Sequence, residues 1–538
     1  MTRGLAKLFL ALCALLAPGA FAASPQMTSN EVARVLAQAI ARAEQIETNA
    51  VIAVVDREGF VLGVWSVDGT PPSALDVLDA ITKAGTASFL SSDEHAFTSR
   101  TAGFIVQQHF PPGIRNRPTG PLVGVNFSNM SFTDVNRFKN SHSGRDTNST
   151  LSGTNGDPVS PLVLSAISGL AGSPGGVPLF RGRVLIGGVA AAGTTRKPPR
   201  SPLAALNDIQ IRQQRDADED VALAGQAGFA PPKDLFGSHV LIDGIRVPYV
   251  KSGTHRGTLK PLGTVGVVVP GYEITGSPLV EYPTNLFGGQ ICEIRAPITN
   301  DIAGDIHGQA RLSSNEVARI LSQASARAKI TRAGIRLPRG KAAQTFITVV
   351  SNPGSNGVPP RILGTIRTPG ATLFSWDVAI QKARTAIFFS NSIRAFSSRS
   401  VGFLAQQFYP PGIAHTPPGP FYGLQEYFSL LPTNFPPGVL PGIPLTNTLN
   451  GVVLTNMLSE ANPNLPNGIT IFPGGFPLYR NGVLIGAIGV SGDGIDQDDI
   501  ISSAGTVDFL PPPGIRADHM EFRGARLPYA KYPRNPDL

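Results

Sequence analysis

Ser29-Asn30-Glu31-Val32-Ala33-Arg34 opens a segment with apolar residues at helical spacing, and the same six residues return as Ser314-Asn315-Glu316-Val317-Ala318-Arg319. The echo continues in order. Ser99-Arg100, Gln107-Gln108 and Pro111-Pro112-Gly113-Ile114 return as Ser398-Arg399, Gln406-Gln407 and Pro410-Pro411-Gly412-Ile413. Gly175-Gly176-Val177-Pro178-Leu179 returns as Gly474-Gly475-Phe476-Pro477-Leu478, and Ile245-Arg246-Val247-Pro248-Tyr249 as Ala525-Arg526-Leu527-Pro528-Tyr529. The period of about 300 residues exceeds any solenoid unit, so each copy is a domain with its own core. Duplication also tests function. A residue required by an ancestral site appears in both copies, or its loss is visible.

Each copy reads as the same series of elements. Val32, Val35, Leu36, Ala39, Ile40 and Ala43 form the apolar stripe of a helix over 30–44 with Asn30 as its cap, and 315–329 repeats it. A buried strand at 51–55, a turn at Asp56-Arg57-Glu58-Gly59 and a partner at 60–67 follow. Copy two keeps strands at 346–350 and 362–367, with a longer turn and a basic segment at 336–341. Ala-rich helices come next at 75–90 and 376–389, then helices at 99–108 and 398–407 that Pro-Pro-Gly terminates. Long loops (115–173 and 414–472) lead to hairpins at 177–189 and 476–490. Asp216, Asp218 and Glu219, matched by Asp496, Asp498 and Asp499, mark the acidic first turn of a last helix. This order predicts an α+β fold, two tandem domains in which an antiparallel sheet is flanked by helices. The expected boundaries are 27–250 for the first domain, 251–310 for a linker and 311–530 for the second, with an insertion near 196–214 in copy one.

A hydrophobic content of 42% against 15% charged residues supplies each copy with material for a core. Residues 1–22 read as an export signal. Arg3 and Lys7 precede an apolar run from Leu8 to Leu16, Pro18-Gly19 break it, and Ala20-Phe21-Ala22 forms a small-x-small cleavage site. The run is too short to span a bilayer, and no other stretch reaches that length. The expected location is the periplasm or the cell exterior. Cleavage leaves Cys292 without a partner cysteine, so stability rests on packing or homo-oligomerisation. The net charge of +8 is scattered rather than striped, which argues against a nucleic-acid partner and leaves an acidic ligand open.

Ala53-Val54-Val55-Asp56-x-x-Gly59, Lys83-Ala84-x-Thr86-Ala87 and Gly175-Gly176-Val177-Pro178 resemble the GlcG/HbpS-like family, which includes the C-terminal domain of PduO. Copy two carries the same resemblance through Asp377-Val378-Ala379-Ile380-x-Lys382-Ala383-x-Thr385-Ala386, Gly475-x-Pro477 and Gly486-Ala487-Ile488-Gly489-Val490-Ser491-Gly492. It spans most of 27–228 and 311–509. The resemblance implies a profilin- or roadblock-like α/β/α domain, frequent oligomerisation, and haem or corrinoid-related binding in some members. Each copy departs once: Ser351 stands where copy one has Asp56, and Ala192 stands where copy two has Ser491.

The residues that both copies retain are the candidate ligand-binding set. Lys83 and Lys382 would hold a propionate or another anion, and Thr86 and Thr385, one turn on, would add hydroxyls. Arg100 and Arg399 would meet an anionic ligand, and Gly176 and Gly475 would let backbone approach it closely. Each has an ordinary alternative: a snorkelling surface lysine, a threonine bonded back to its helix, a salt-bridged arginine, a plain strand-entry turn. Iron would want His, Met, Cys or Tyr in an apolar pocket. None of the eight histidines recurs in the other copy, and His109, behind an apolar helix, is the candidate metal ligand. Its alternative is a helix-end residue packed on Pro111. Gly489-Val490-Ser491-Gly492-Asp493 lacks the last glycine of a nucleophile elbow, and no phosphate loop is present. The expectation is therefore an exported, non-catalytic binder of haem or a related tetrapyrrole. The alternative is a structural or interaction protein, a pseudo-dimer whose long loops contact partners. Enzymatic haem degradation is a third, weaker reading, since no redox-active ligand is shared.

Overall fold

The computed structural model describes residues 25–538 except 47–48, 107–109, 112–113, 115–119, 124, 126–127, 129–134, 136–169, 194–214, 254, 338–339, 355–359 and 423–468. The export segment, the insertion at 196–214, His109 and most of both long loops thus lie outside the described residues. Copy one runs α1 (Ser29–Ile46), β1 (Val51–Asp56), β2 (Val61–Ser66), α2 (Ala74–Phe89), α3 (Ser99–Ile105), β3 (Gly176–Arg181), β4 (Val184–Ala192), α4 (Ala217–Gly225), β5 (Leu241–Ile242) and β6 (Ile245–Arg246). Then come β7 (Val267–Val268), β8 (Thr284–Phe287) and β9 (Gln290–Ala296). Copy two follows as α5 (Ser314–Ile330), β10 (Phe346–Ser351), β11 (Ile362–Arg367), α6 (Phe374–Phe388), α7 (Ser398–Leu404), β12 (Gly475–Arg480), β13 (Val483–Ser491), α8 (Ile495–Gly505), β14 (Glu521–Phe522) and β15 (Ala525–Arg526).

Strand β1 shows why each sheet carries helices on both faces: all six of its residues are buried. Side chains alternate along a strand. Ile52 and Val54 join Val32, Val35 and Leu36 of α1 and Val221 of α4, whereas Val51 and Ala53 join Ala80 and Ile81 of α2. The result is a three-layer α/β/α domain, made twice. The sheets run β3-β4-β1-β2-β7 and β12-β13-β10-β11-β9-β8, antiparallel throughout.

Three sequence expectations shift. The first helices are capped by Thr28 and Ser313 rather than by Asn30 and its counterpart. Each hydroxyl accepts from the N–H of Glu31 or Glu316, and each glutamate returns to the cap N–H, forming a capping box. Helices α3 and α7 end at Ile105 and Leu404, several residues before Pro-Pro-Gly. The stretch 251–310 also supplies edge strands. Val268 pairs with Trp65 of β2, and Ala296 and Ile294 pair with Thr365 and Ile366 of β11.

The two copies share an apolar cluster. Ile81, Phe97 and Ile105 of copy one pack in one group with Phe346, Phe374, Trp376 and Ile380 of copy two. Beside it, Arg295 of β9 pairs with Glu58 in the β1–β2 turn at 2.8 Å and lies 3.7 Å from the Tyr282 ring centre. Among the described residues no helix is long and apolar enough to cross a membrane.

Candidate functional site

Lys83 and Lys382 stand in the middle of α2 and α6, and neither snorkels: they are 3% and 1% exposed. Lys83 Nζ lies 2.8 Å from Asp79 Oδ2 and 2.9 Å from Asp218 Oδ2, and it donates to Ala191 O. Lys382 Nζ donates to Asp498 Oδ2 at 2.7 Å and to Val490 O at 2.8 Å. Each lysine thereby ties its helix to the last turn of a strand and to the following helix. The two differ electrostatically. Burial works against the Lys83 charge, but Asp218 and Asp79 outweigh it and hold its pKa above the usual lysine value. For Lys382 burial outweighs Asp498, and the pKa falls. Burial likewise pushes the Asp498 carboxyl up against the pull of Lys382. One contrast behind the difference is Asp79, paired with Lys83 in copy one, whose position holds Val378 in copy two.

The other shared residues are also engaged within the fold. Thr86 Oγ1 donates to Thr82 O and accepts from Ala171 N, and Thr385 Oγ1 does the same with Gln381 O and Thr470 N. These are the helix back-bonds foreseen, each with a second, long-range partner. Ser99 and Ser398 accept the N–H of Gly176 and Gly475 at 2.9 and 2.8 Å. A Cβ on Gly176 would come 2.1 Å from Lys83 O, and one on Gly475 2.2 Å from Lys382 O. The glycines are therefore required by the helix backbone behind them. Arg100 makes a fully buried two-pronged pair with Glu219, at 2.6 and 3.1 Å. Arg399 pairs with Asp499 and, at 2.6 Å, with Asp496. The acids read as helix-start residues are the partners of the shared cations.

His95 is sealed inside copy one, its Nε2 2.8 Å from Leu90 O and its Nδ1 2.9 Å from Ser92 Oγ. Burial, assisted by Arg336, keeps this ring well below the usual histidine pKa. No group of three or more His, Cys, Asp or Glu placed to hold a metal occurs among the described residues.

The copies line a narrow, partly open cleft of about 40 Å³. Copy one contributes Phe97, Ile105, Leu122 and Val125; copy two contributes Phe374, Val378 and Phe472. Its polar wall is Lys382, Asp498, Arg336, Asp493 and Ser491. Arg336 Nη2 lies 2.6 Å from Asp493 Oδ1.

A family model described as haem degrading protein HbpS-like matches residues 27–198 and 323–506, more than half of the chain. The chain belongs to the HbpS-like family, in two tandem copies. Among solved structures, a PduOC:heme complex is 20% identical, with 37% of this chain and 96% of that chain covered and a TM-score of 0.23. Klebsiella pneumoniae protein ORFY is 17% identical, with coverage of 40% and 97% and a TM-score of 0.19. A double mutant of Streptomyces reticuli HbpS is 18% identical, with coverage of 39% and 95% and a TM-score of 0.21. No curated protein matches.

In this HbpS-like chain the cleft is asymmetric. Of the shared candidates only Lys382 lines it; Thr385, Arg399 and Gly475, and all of their copy-one counterparts, do not. Asp498, Asp493 and Arg336 were missed as site residues in the sequence. Asp498 was legible only as a helix-start acid, and Arg336 only as part of a basic segment. The available signal was the difference between copies: Val378 for Asp79 and Ser491 for Ala192 both fall on this wall.

Proposed function

We propose that this chain is an exported binding protein for haem or a related tetrapyrrole, without catalysis of its own, and that its ligand occupies the cleft between the copies. The observation that carries this reading is the cleft itself, with apolar side chains from both copies and the shared Lys382 on its wall. Family membership supports the ligand class. Phe97, Ile105, Leu122, Phe374 and Phe472 would cover the faces of the ring, and Lys382 and Arg336 would face its carboxylates. Haem, when bound, supplies a redox-active iron. His109, the candidate of the sequence for that iron, lies outside the described residues. Export to the periplasm or beyond rests on the character of residues 1–22.

Titrating the purified chain with haemin, followed at the Soret band, tests the proposal. A shifted band that saturates at one equivalent is expected, and no shift at micromolar haemin would sink the reading. Loss of the shift in His109→Ala would assign the iron ligand. The cluster shared by Ile81, Phe97, Phe374 and Trp376 favours a second reading, a pseudo-dimer scaffold whose loops meet partners. Absence of tetrapyrrole binding with retained folding would leave that one standing.

A further inference from the structure

Each of the two sheets ends on two edge strands, and three of these four edges are blunted. Strands β3 and β12 are buried, and a later loop closes on each: the Phe180 N–H donates to Phe229 O, and the Tyr479 N–H to Phe509 O. Strand β7 is only two residues long, with Pro270 close behind it. Strand β8 is the exception. Thr284, Asn285 and Leu286 are all exposed, and no described strand pairs with its outer side. It carries no charge, proline or bulge, the devices that ordinarily keep such an edge from pairing.

The β8–β9 hairpin shows which backbone groups are free. Its two-residue turn, Gly288-Gly289, closes on the pair Phe287–Gln290. Backbone groups alternate in direction along a strand, so those of Phe287 and Asn285 turn to β9, and those of Leu286 and Thr284 turn outward. The Leu286 N–H meets only the Asn285 side chain beside it, Oδ1 accepting at 2.8 Å. The side chains add an apolar element. Leu286 stands opposite Ile291 in the hairpin, and the two are 61% and 57% exposed. The hairpin lies between the two segments that the family model matches, so it is an addition to the family's domain.

We infer that β8 is a docking edge for β8 of a second copy of this chain, paired antiparallel about a two-fold axis at Asn285. Three features select a second copy as the occupant. The outward groups belong to Thr284 and Leu286, on either side of Asn285, so the axis sets each Thr284 against the partner's Leu286 and satisfies both ends reciprocally. The same axis brings the two Leu286–Ile291 pairs together on one face of a sheet continued across both chains. Charge agrees. Glu281, exposed, stands four residues before Asn285; Gly289 stands four after it, and the exposed Lys329 of α5 donates to Gly289 O at 2.8 Å. Antiparallel pairing therefore carries Glu281 to the partner's Lys329, once at each end. A four-residue strand buries less than a standard interface, so the dimer is weak and concentration-dependent.

Sedimentation velocity of the full chain tests the inference. The wild type is expected to pass from monomer to dimer between about 1 and 100 µM. Leu286→Lys, at an exposed position, keeps the far-UV circular dichroism and stays monomeric. Glu281→Lys weakens the dimer about tenfold, and adding Lys329→Glu restores it. Asn285→Cys, which faces itself across the axis, forms an interchain 285–285 disulfide on mild oxidation, located by peptide mapping. A wild type that stays monomeric throughout overturns the inference. So does a dimer that Leu286→Lys leaves intact, which would use another surface. A double charge swap as weak as Glu281→Lys alone, or Asn285→Cys without the 285–285 bond, overturns the two-fold pairing. Should Leu286→Lys lose its fold, the Asn285→Cys crosslink decides by itself.

Discussion

Replacing each buried lysine by methionine, one copy at a time, measures what the two ion pairs do. Methionine retains the stem and removes the charge. Lys83→Met strands two carboxylates, Asp79 and Asp218, whose side chains are only 11% and 9% exposed. Breaking a buried pair from one side costs about 3–5 kcal/mol. Lys382→Met strands one carboxylate, Asp498, whose pKa burial has already raised. That group takes up a proton more readily, so the loss should be nearer about 1–3 kcal/mol. A difference of about 2 kcal/mol is close to thirtyfold in the unfolding equilibrium. Urea unfolding followed by tryptophan fluorescence can separate the copies, because Trp65 sits in copy one and Trp376 in copy two, both buried. Lowering the pH from 7 to 5 should recover part of the Lys382→Met loss. Equal losses in the two variants, or a larger one for Lys382→Met, would refute the claim that Asp79 sets the difference.

Gly176→Ala and Gly475→Ala should each destabilise by about 3 kcal/mol or more, since the new methyl meets helix backbone that cannot rotate away; a thermal melt within a degree of wild type would contradict the contact. Arg295→Met removes the partner of Glu58, so the Trp65 and Trp376 transitions should part in urea; a single transition at the wild-type midpoint would mean that the apolar cluster alone couples the copies. Burial and then Asp218 push Asp216 to about 6, from an ordinary value near 3.8. Between those values the folded chain holds a proton that the unfolded chain has released, so this group's contribution falls as pH rises from 4 to 6. Asp216→Asn, which still caps α4, should flatten the decline of melting temperature over that window; an unaltered slope would assign it to other groups.

The amino-acid sequence by itself determined the duplication, the α+β class, the order of elements and the set of residues common to both copies. These are local or pairwise properties. A stripe at helical spacing, a six-residue apolar strand or an aligned Lys-x-x-Thr can be read without knowing what packs on it. The capping boxes were in principle legible too, in Thr28-x-x-Glu31 and Ser313-x-x-Glu316, but the asparagine one residue inside the helix competes as a cap on composition alone. The strand character of 284–296 was hidden because a hairpin at a sheet edge, half open to solvent, has a weak pattern, and only the pairing of β9 with β11 and β8 reveals it.

What the shared residues do was decided by tertiary structure. Lys83 lies 135 positions from Asp218, and Arg100 lies 119 from Glu219. No local pattern joins such residues, and a lysine among alanines looks alike whether it is solvated or sealed beside a carboxylate. The tandem repeat of Ser-Asn-Glu-Val-Ala-Arg first suggested that retained residues would mark a retained ligand pocket. The fold uses most of them to hold helix to sheet. The cleft instead forms between the copies, at a place where the copies differ, because two domains that pack against each other line their junction from both sides and each can change its own wall.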